Sequence, residues 1–233
     1  MDVLVSGKSS FKIEVPYRLI ETGPKAKKPL FVYLHGFNQN SEYFQNRFLS
    51  FIKKHPGYHL FIQGPYPAQT TKKKDRDWGY AWYLYDGGQG SFVKNLEYSA
   101  QFVQEVIDNI ISLIEINRIC IIGYSMGGYL AGYFGLSRWK HTNELIVIGA
   151  RIKTEVFESR MENLGSQHIL ALHGADDDQV SPDAQMESIQ TLVDEGVDAE
   201  YIEVPGGHKI SDTYFVKMSE WLQKQGYQIS AQK

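Results

Sequence analysis

The sequence predicts an α/β fold, a mostly parallel central sheet with helices on both faces, on three observations. Short apolar runs without polar alternation recur along the chain, as strands buried on both faces require. Segments of helical period lie between them, which sets up repeated strand-helix-strand units. The chain has 233 residues, 42% hydrophobic and 22% charged, enough for one large core, so a single domain over residues 1–233 is expected.

Seven strands are expected, at residues 11–18, 30–34, 59–62, 118–122, 144–148, 169–172 and 199–204, each bounded by Gly, Pro or polar residues. Helices are expected at residues 41–54 with Ser41 as N-cap, at 96–113 and 128–136, at 182–195 capped by Ser181, and at 212–225 capped by Ser211. Residues 64–95 fit neither period, and long ordered loops of this kind are often functional. Only about twenty residues separate the strand at 144–148 from that at 169–172, which leaves no room for a large cap domain there.

Bulk properties exclude several function classes. A net charge of −3 creates no field that would recruit nucleic acid or an anionic membrane. No run approaches the roughly 18 apolar residues of a membrane span, so stable membrane insertion is not expected. Cys120, the one cysteine, cannot form an internal disulfide, and Met1-Asp2-Val3-Leu4 does not read as a signal peptide. A cytoplasmic location is expected.

The chemistry is concentrated around Gly123-Tyr124-Ser125-Met126-Gly127. With 21 Gly and 17 Ser in the chain, chance supplies roughly 0.1 such patterns, so the pentapeptide alone is weak. Its context is specific: an apolar run precedes Ser125 and a helical segment follows, which is the form of a nucleophile elbow. A serine nucleophile needs a base, and the base needs a carboxylate to fix its tautomer. Later in the chain an apolar run ends in His173-Gly174-Ala175-Asp176-Asp177-Asp178, and an alternating run ends in Gly206-Gly207-His208. Both follow Ser125 in the order serine, acid, histidine, and both would lie at carboxyl ends of strands. Any of the three aspartates could be the acid on this ground. Leu34-His35-Gly36-Phe37 has the form of an early oxyanion loop, so the Phe37 amide is expected to join that of Met126 as donors. His35 is expected to make structural hydrogen bonds rather than to act as a base.

These four segments together resemble the α/β-hydrolase superfamily and, within it, the phospholipase/carboxylesterase group, which includes small carboxylesterases and acyl-protein thioesterases. The resemblance spans residues of about 30 to 222. It implies a serine ester hydrolase that works through an acyl-enzyme, with Ser125, Asp177 and His208 as catalytic residues, no cofactor and no metal. Its His-Gly-x-x-Asp pattern selects Asp177 over Asp176 and Asp178. Met126 departs from the glutamine common after the nucleophile. The expected partner is a small-molecule acyl ester or thioester, with the oligomeric state left open. A serine peptidase of the same fold, or a binding protein that has lost turnover, would carry the same motifs.

Two expectations concern the loop at 64–95. Alternation of Trp78, Tyr80 and Trp82 would put three rings on one face of an extended segment as a wall for an acyl or aryl group, or else over the core. Lys72-Lys73-Lys74-Asp75-Arg76 reads first as a solvated charge run and only secondarily as an attractor of an anionic head group.

Overall fold

A computed structural model of the protein describes residues 3–7, 9, 12–68 and 78–230. In chain order the elements are β1 (Tyr17–Thr22), β2 (Lys28–Leu34), α1 (Ser41–Arg47), α2 (Leu49–Lys54), β3 (Gly57–Ile62), β4 (Tyr66–Ala68), β5 (Gly79–Ala81), α3 (Gln89–Ile111), β6 (Ile116–Tyr124), α4 (Met126–Ser137), β7 (Glu144–Ile148), β8 (His168–Gly174), α5 (Pro182–Asp194), β9 (Asp198–Val204) and α6 (Asp212–Lys224). Seven strands form one sheet in the order β1-β3-β2-β6-β7-β8-β9. Only β1 runs antiparallel to its neighbour, pairing Tyr17 with Ile62 through Thr22 with Gly57. The other pairs are parallel, so their carboxyl ends share one edge.

Successive side chains of a strand point to opposite faces, and β2 shows what each face holds. Leu30, Val32 and Leu34 join the core under α3, α4 and α5, whereas Phe31 and Tyr33 join that under α1, α2 and α6. All five are wholly buried, which explains why β2 reads as an unbroken apolar run. The same logic holds for β6, where Ile121 faces the first core and Cys120 and Ile122 the second.

Three elements differ from the expectation. The first strand was expected at residues 11–18, but it lies at Tyr17–Thr22. Pro16 has no N–H to donate, its carbonyl instead accepts from the Gln63 amide at 3.1 Å, and the ladder begins after it. The helix expected at residues 41–54 is broken at Phe48, whose backbone (φ −93°, ψ 6°) leaves the helical region. Asn40, not Ser41, caps it, with its side-chain oxygen accepting from the Tyr43 amide at 2.7 Å. The long segment at 64–95 contains the β4–β5 hairpin and the first turns of α3. There Asp86 accepts from the Gly88 amide at 2.9 Å and from the Ser91 hydroxyl at 2.6 Å, which starts the helix. The basic run at Lys72–Arg76 lies outside the described residues.

Two buried histidines give the fold a defined acid response. His59 accepts from the Tyr33 hydroxyl and donates to the His55 carbonyl, and burial pushes its pKa down to about 4. Burial pushes His35 down to about 4 as well. Both rings stay neutral in the folded chain but protonate near pH 6.5 once unfolded, so the unfolded state binds more protons between those limits. Stability is therefore present above pH 6.5 and is lost as pH falls toward 4, by on the order of 3 kcal/mol for each histidine. Thermal melts followed by circular dichroism should show a midpoint that drops steadily across that window. A midpoint that stays flat from pH 6.5 to 4.5 would contradict the assignment.

Candidate active site

The carboxyl edge of the sheet gathers the chemistry. β6 ends at Tyr124 and α4 begins at Met126, so Ser125 alone makes the turn, with φ 53° and ψ −119°. L-residues rarely hold positive φ, and such strain persists only where the surroundings enforce it. They do so here. The Ser125 amide donates to the Ile148 carbonyl of β7 at 2.8 Å, and its carbonyl accepts from the Gly128 and Tyr129 amides. A Cβ on Gly123 would lie 2.2 Å from the Gly127 carbonyl oxygen, and one on Gly127 would lie 2.2 Å from that of Leu34. Both obstacles are backbone and cannot swing aside. Gly127→Ala is accordingly expected to push the α4 start away from β2, with activity falling by more than about tenfold and a lowered melting temperature; an enzyme of unchanged rate would show that the contact is soft.

The imidazole of His208, on the turn after β9, reaches Ser125 with Nε2 at 2.7 Å from Oγ. Its Nδ1 lies 2.6 Å from Asp177 Oδ2. A carboxylate beside Nδ1 keeps the proton there and leaves the Nε2 lone pair to accept from the serine hydroxyl. The ring is also held from behind, because its own carbonyl accepts from the Tyr124 hydroxyl at 2.8 Å and Gly149 lies against its edge.

Of the three consecutive aspartates, only Asp177 is buried, and it is the one brought to His208. Its Oδ1 accepts from the Gln179 and Val180 amides at 2.9 and 3.0 Å. Burial alone would raise its pKa, but these amides and His208 outweigh that and hold it below the usual carboxylate range. Oδ2 also meets a second imidazole, His173 Nε2, at 3.0 Å. His173 is wholly buried and is fixed through Nδ1 to Gln185, whose amide nitrogen donates to the Val147 carbonyl.

Opposite the elbow, the chain after β2 is pinned on every side. His35 donates from Nδ1 to the Gly36 carbonyl at 2.8 Å and accepts at Nε2 from the Gly64 amide at 2.9 Å. Trp82 donates from its indole to the His35 carbonyl at 2.7 Å. The Gly36 amide donates to Gln39 Oε1, and the amide of Asn38, a residue at φ 58°, donates to the Tyr80 carbonyl of the β4–β5 hairpin, while the Tyr80 amide donates to the Gln39 carbonyl. These bonds fix the turn that carries Phe37 beside the start of α4, where Gly127 packs against the Leu34 and His35 carbonyls. The Met126 amide is the first of that helix, where no preceding helical carbonyl exists to accept it.

The sequence model of the phospholipase/carboxylesterase family matches residues 16–225. The chain belongs to that family. No curated protein matches it by sequence. Among solved structures, it is similar to a Mesorhizobium loti carboxylesterase, with 20% identity over 90% of this chain and 94% of that one and a TM-score of 0.68. It is similar to the Bacillus cereus carboxylesterase, with 14% identity over 90% and 94% and a TM-score of 0.69. Zea mays acyl-protein thioesterase 2 is 17% identical over 90% and 98%, with a TM-score of 0.67. These likenesses are ones of fold, that of the α/β-hydrolases. As in a family member without a large cap, residues 149–167 between β7 and β8 form only two short 3₁₀ turns, Thr154–Val156 and Glu158–Leu164.

A cavity of about 360 Å³ opens beside Ser125, lined by Tyr83, Tyr85, Phe92 and Tyr129 together with Gln89, Met126, Arg151 and Lys153. The expected wall of Trp78, Tyr80 and Trp82 does not line it. Trp78 is half exposed and Trp82 wholly buried against His35. Alternation fails because β5 ends at Ala81 and the chain turns inward, so Trp82 enters the core and Tyr83 takes the cavity side. Tyr80 and Trp82 brace the Gly36–Asn38 turn instead. Sequence reasoning missed Tyr83, Phe92, Tyr129, Arg151 and Lys153; a signal was available for Tyr129, in the first turn of α4, but not for Phe92, whose helix begins at Gln89 rather than near residue 96.

Proposed function

We propose that this family member is a serine carboxylic-ester hydrolase that acts on small acyl esters or thioesters through an acyl-enzyme. One observation carries the reading: Ser125 Oγ, His208 and Asp177 form an unbroken chain of hydrogen bonds at 2.7 and 2.6 Å, with the serine on a wall of the cavity. His208 takes the hydroxyl proton as Ser125 attacks the carbonyl carbon, and Asp177 steadies the imidazolium. Charge develops on the carbonyl oxygen, where the Met126 amide, aided by the α4 dipole, and the Phe37 amide stabilise it. His208 then gives the proton to the departing alcohol or thiol. Water, activated by the same imidazole, releases the acid. The free base of His208 is required at both stages.

Carboxylesterases and an acyl-protein thioesterase among the similar structures support this class. No helix among the described residues is long and apolar enough to cross a membrane, which suits a substrate met in water. A fluorophosphonate probe should label the wild-type chain at Ser125 and leave Ser125→Ala unlabelled; labelling that survives in the variant would remove Ser125 from this role.

A further inference from the structure

We propose that the ester cleaved at Ser125 carries a carboxylate, which Arg151 and Lys153 hold inside the cavity; this rests on the esterase reading above. Beyond β7, Gly149 turns the chain at φ 57°, and Ile152 plugs the core wholly buried against Gly132. Its two neighbours therefore point the other way, toward Ser125, and both line the cavity. Lys153 is only 5% exposed. Its ammonium lies 2.9 Å from Gln89 Oε1, 2.8 Å from Glu155 Oε1 and 5.3 Å from the Phe92 ring centroid. Arg151 pairs with the same Glu155 oxygen.

The charges do not cancel. Two cations share one carboxylate, and that carboxylate is 42% exposed and outside the cavity lining. None of the described residues that line the cavity is acidic. One positive charge thus remains on a wall that is otherwise uncharged and carries four aromatic rings. A neutral acyl chain filling this space would strip water from the cations and offer nothing in return. A carbon skeleton ending in a carboxylate would satisfy both features, with the skeleton between the rings and the anion on the guanidinium, whose planar donors suit it.

Kinetics on matched aryl esters test this in two arms. The first compares a 4-nitrophenyl hemiadipate with 4-nitrophenyl hexanoate, placing the carboxylate on the acyl side. The second compares 4-acetoxybenzoate with its methyl ester, placing it on the leaving group. In one arm kcat/KM should favour the anionic ester by about tenfold to a hundredfold, a preference that shrinks with added salt. In Arg151→Gln that ratio should fall to near one, and reading the ratio cancels any loss common to both esters. Lys153→Met should lower it too, and hexanoate should bind the wild-type chain more tightly than neutral hexanamide by calorimetry, a readout independent of turnover. Neutral esters that match anionic ones in both arms, a ratio unmoved in Arg151→Gln, or equal binding of hexanoate and hexanamide would overturn the proposal. Failure of Ser125 to label would instead strike the esterase reading itself.

Discussion

Ser125→Ala is expected to lower kcat on an activated aryl ester by about 10⁵- to 10⁶-fold while the protein still folds and melts as a single unit. The size follows from what would be left. His208 would have no hydroxyl to activate, and the route through a covalent intermediate would close, so only the oxyanion donors and the cavity would act, on water. Residual catalysis of about 10³ to 10⁴ over the uncatalysed reaction is what those parts supply elsewhere. Burst kinetics give a second check. The wild type should release one equivalent of aryl alcohol per site faster than it turns over if deacylation is slow, and the variant should show no burst. A variant with kcat within tenfold of wild type would mean that the nucleophile is another group.

Asp177→Asn should cost about 10⁴-fold in kcat, nearly as much, with little change in fold. The hydrogen bonds decide which way the new amide must sit. Oδ1 receives two backbone amides, from Gln179 and Val180, so the asparagine oxygen takes that place and its NH₂ replaces Oδ2. That NH₂ then faces His208 Nδ1, donor against donor. The imidazole responds by moving its proton to Nε2, which can no longer accept from Ser125. Loss is therefore one of tautomer rather than position. Substitution of Asp176 or Asp178, both exposed, should leave kcat within about twofold.

How much of this was legible in the sequence depends on how local each signal was. The elbow could be read because strand, serine and helix are contiguous, and Gly123 and Gly127 report a close approach that any side chain would block. His208 could be read because an alternating strand leads straight into its glycine turn. Asp177 could not be separated from its neighbours by chemistry alone; its two amides and His173 depend on how the turn after β8 folds, and His208 reaches it only when β8 and β9 pair. The error at Trp82 has a similar cause, since alternation says which residues share a face but not where the strand ends. Arg151 and Lys153 lie 26 and 28 positions beyond Ser125 on a different strand's extension, and nothing local marks them. The first strand was misplaced because Phe11, Ile13 and Val15 alternate as a strand would, whereas the pairing with β3 begins only after Pro16.

The backbone of Ser125 has a consequence for how such a protein persists. Holding a serine at positive φ costs about 1–3 kcal/mol, a sizeable share of the roughly 5–15 kcal/mol by which a folded domain exceeds its unfolded chain. A glycine there would relieve the tension and end the chemistry. On the reading proposed above, a chain relieved of this strain by glycine is an inert one. If Ser125 is the nucleophile, it is kept at a cost in stability, which ties its place at the elbow to turnover rather than to folding.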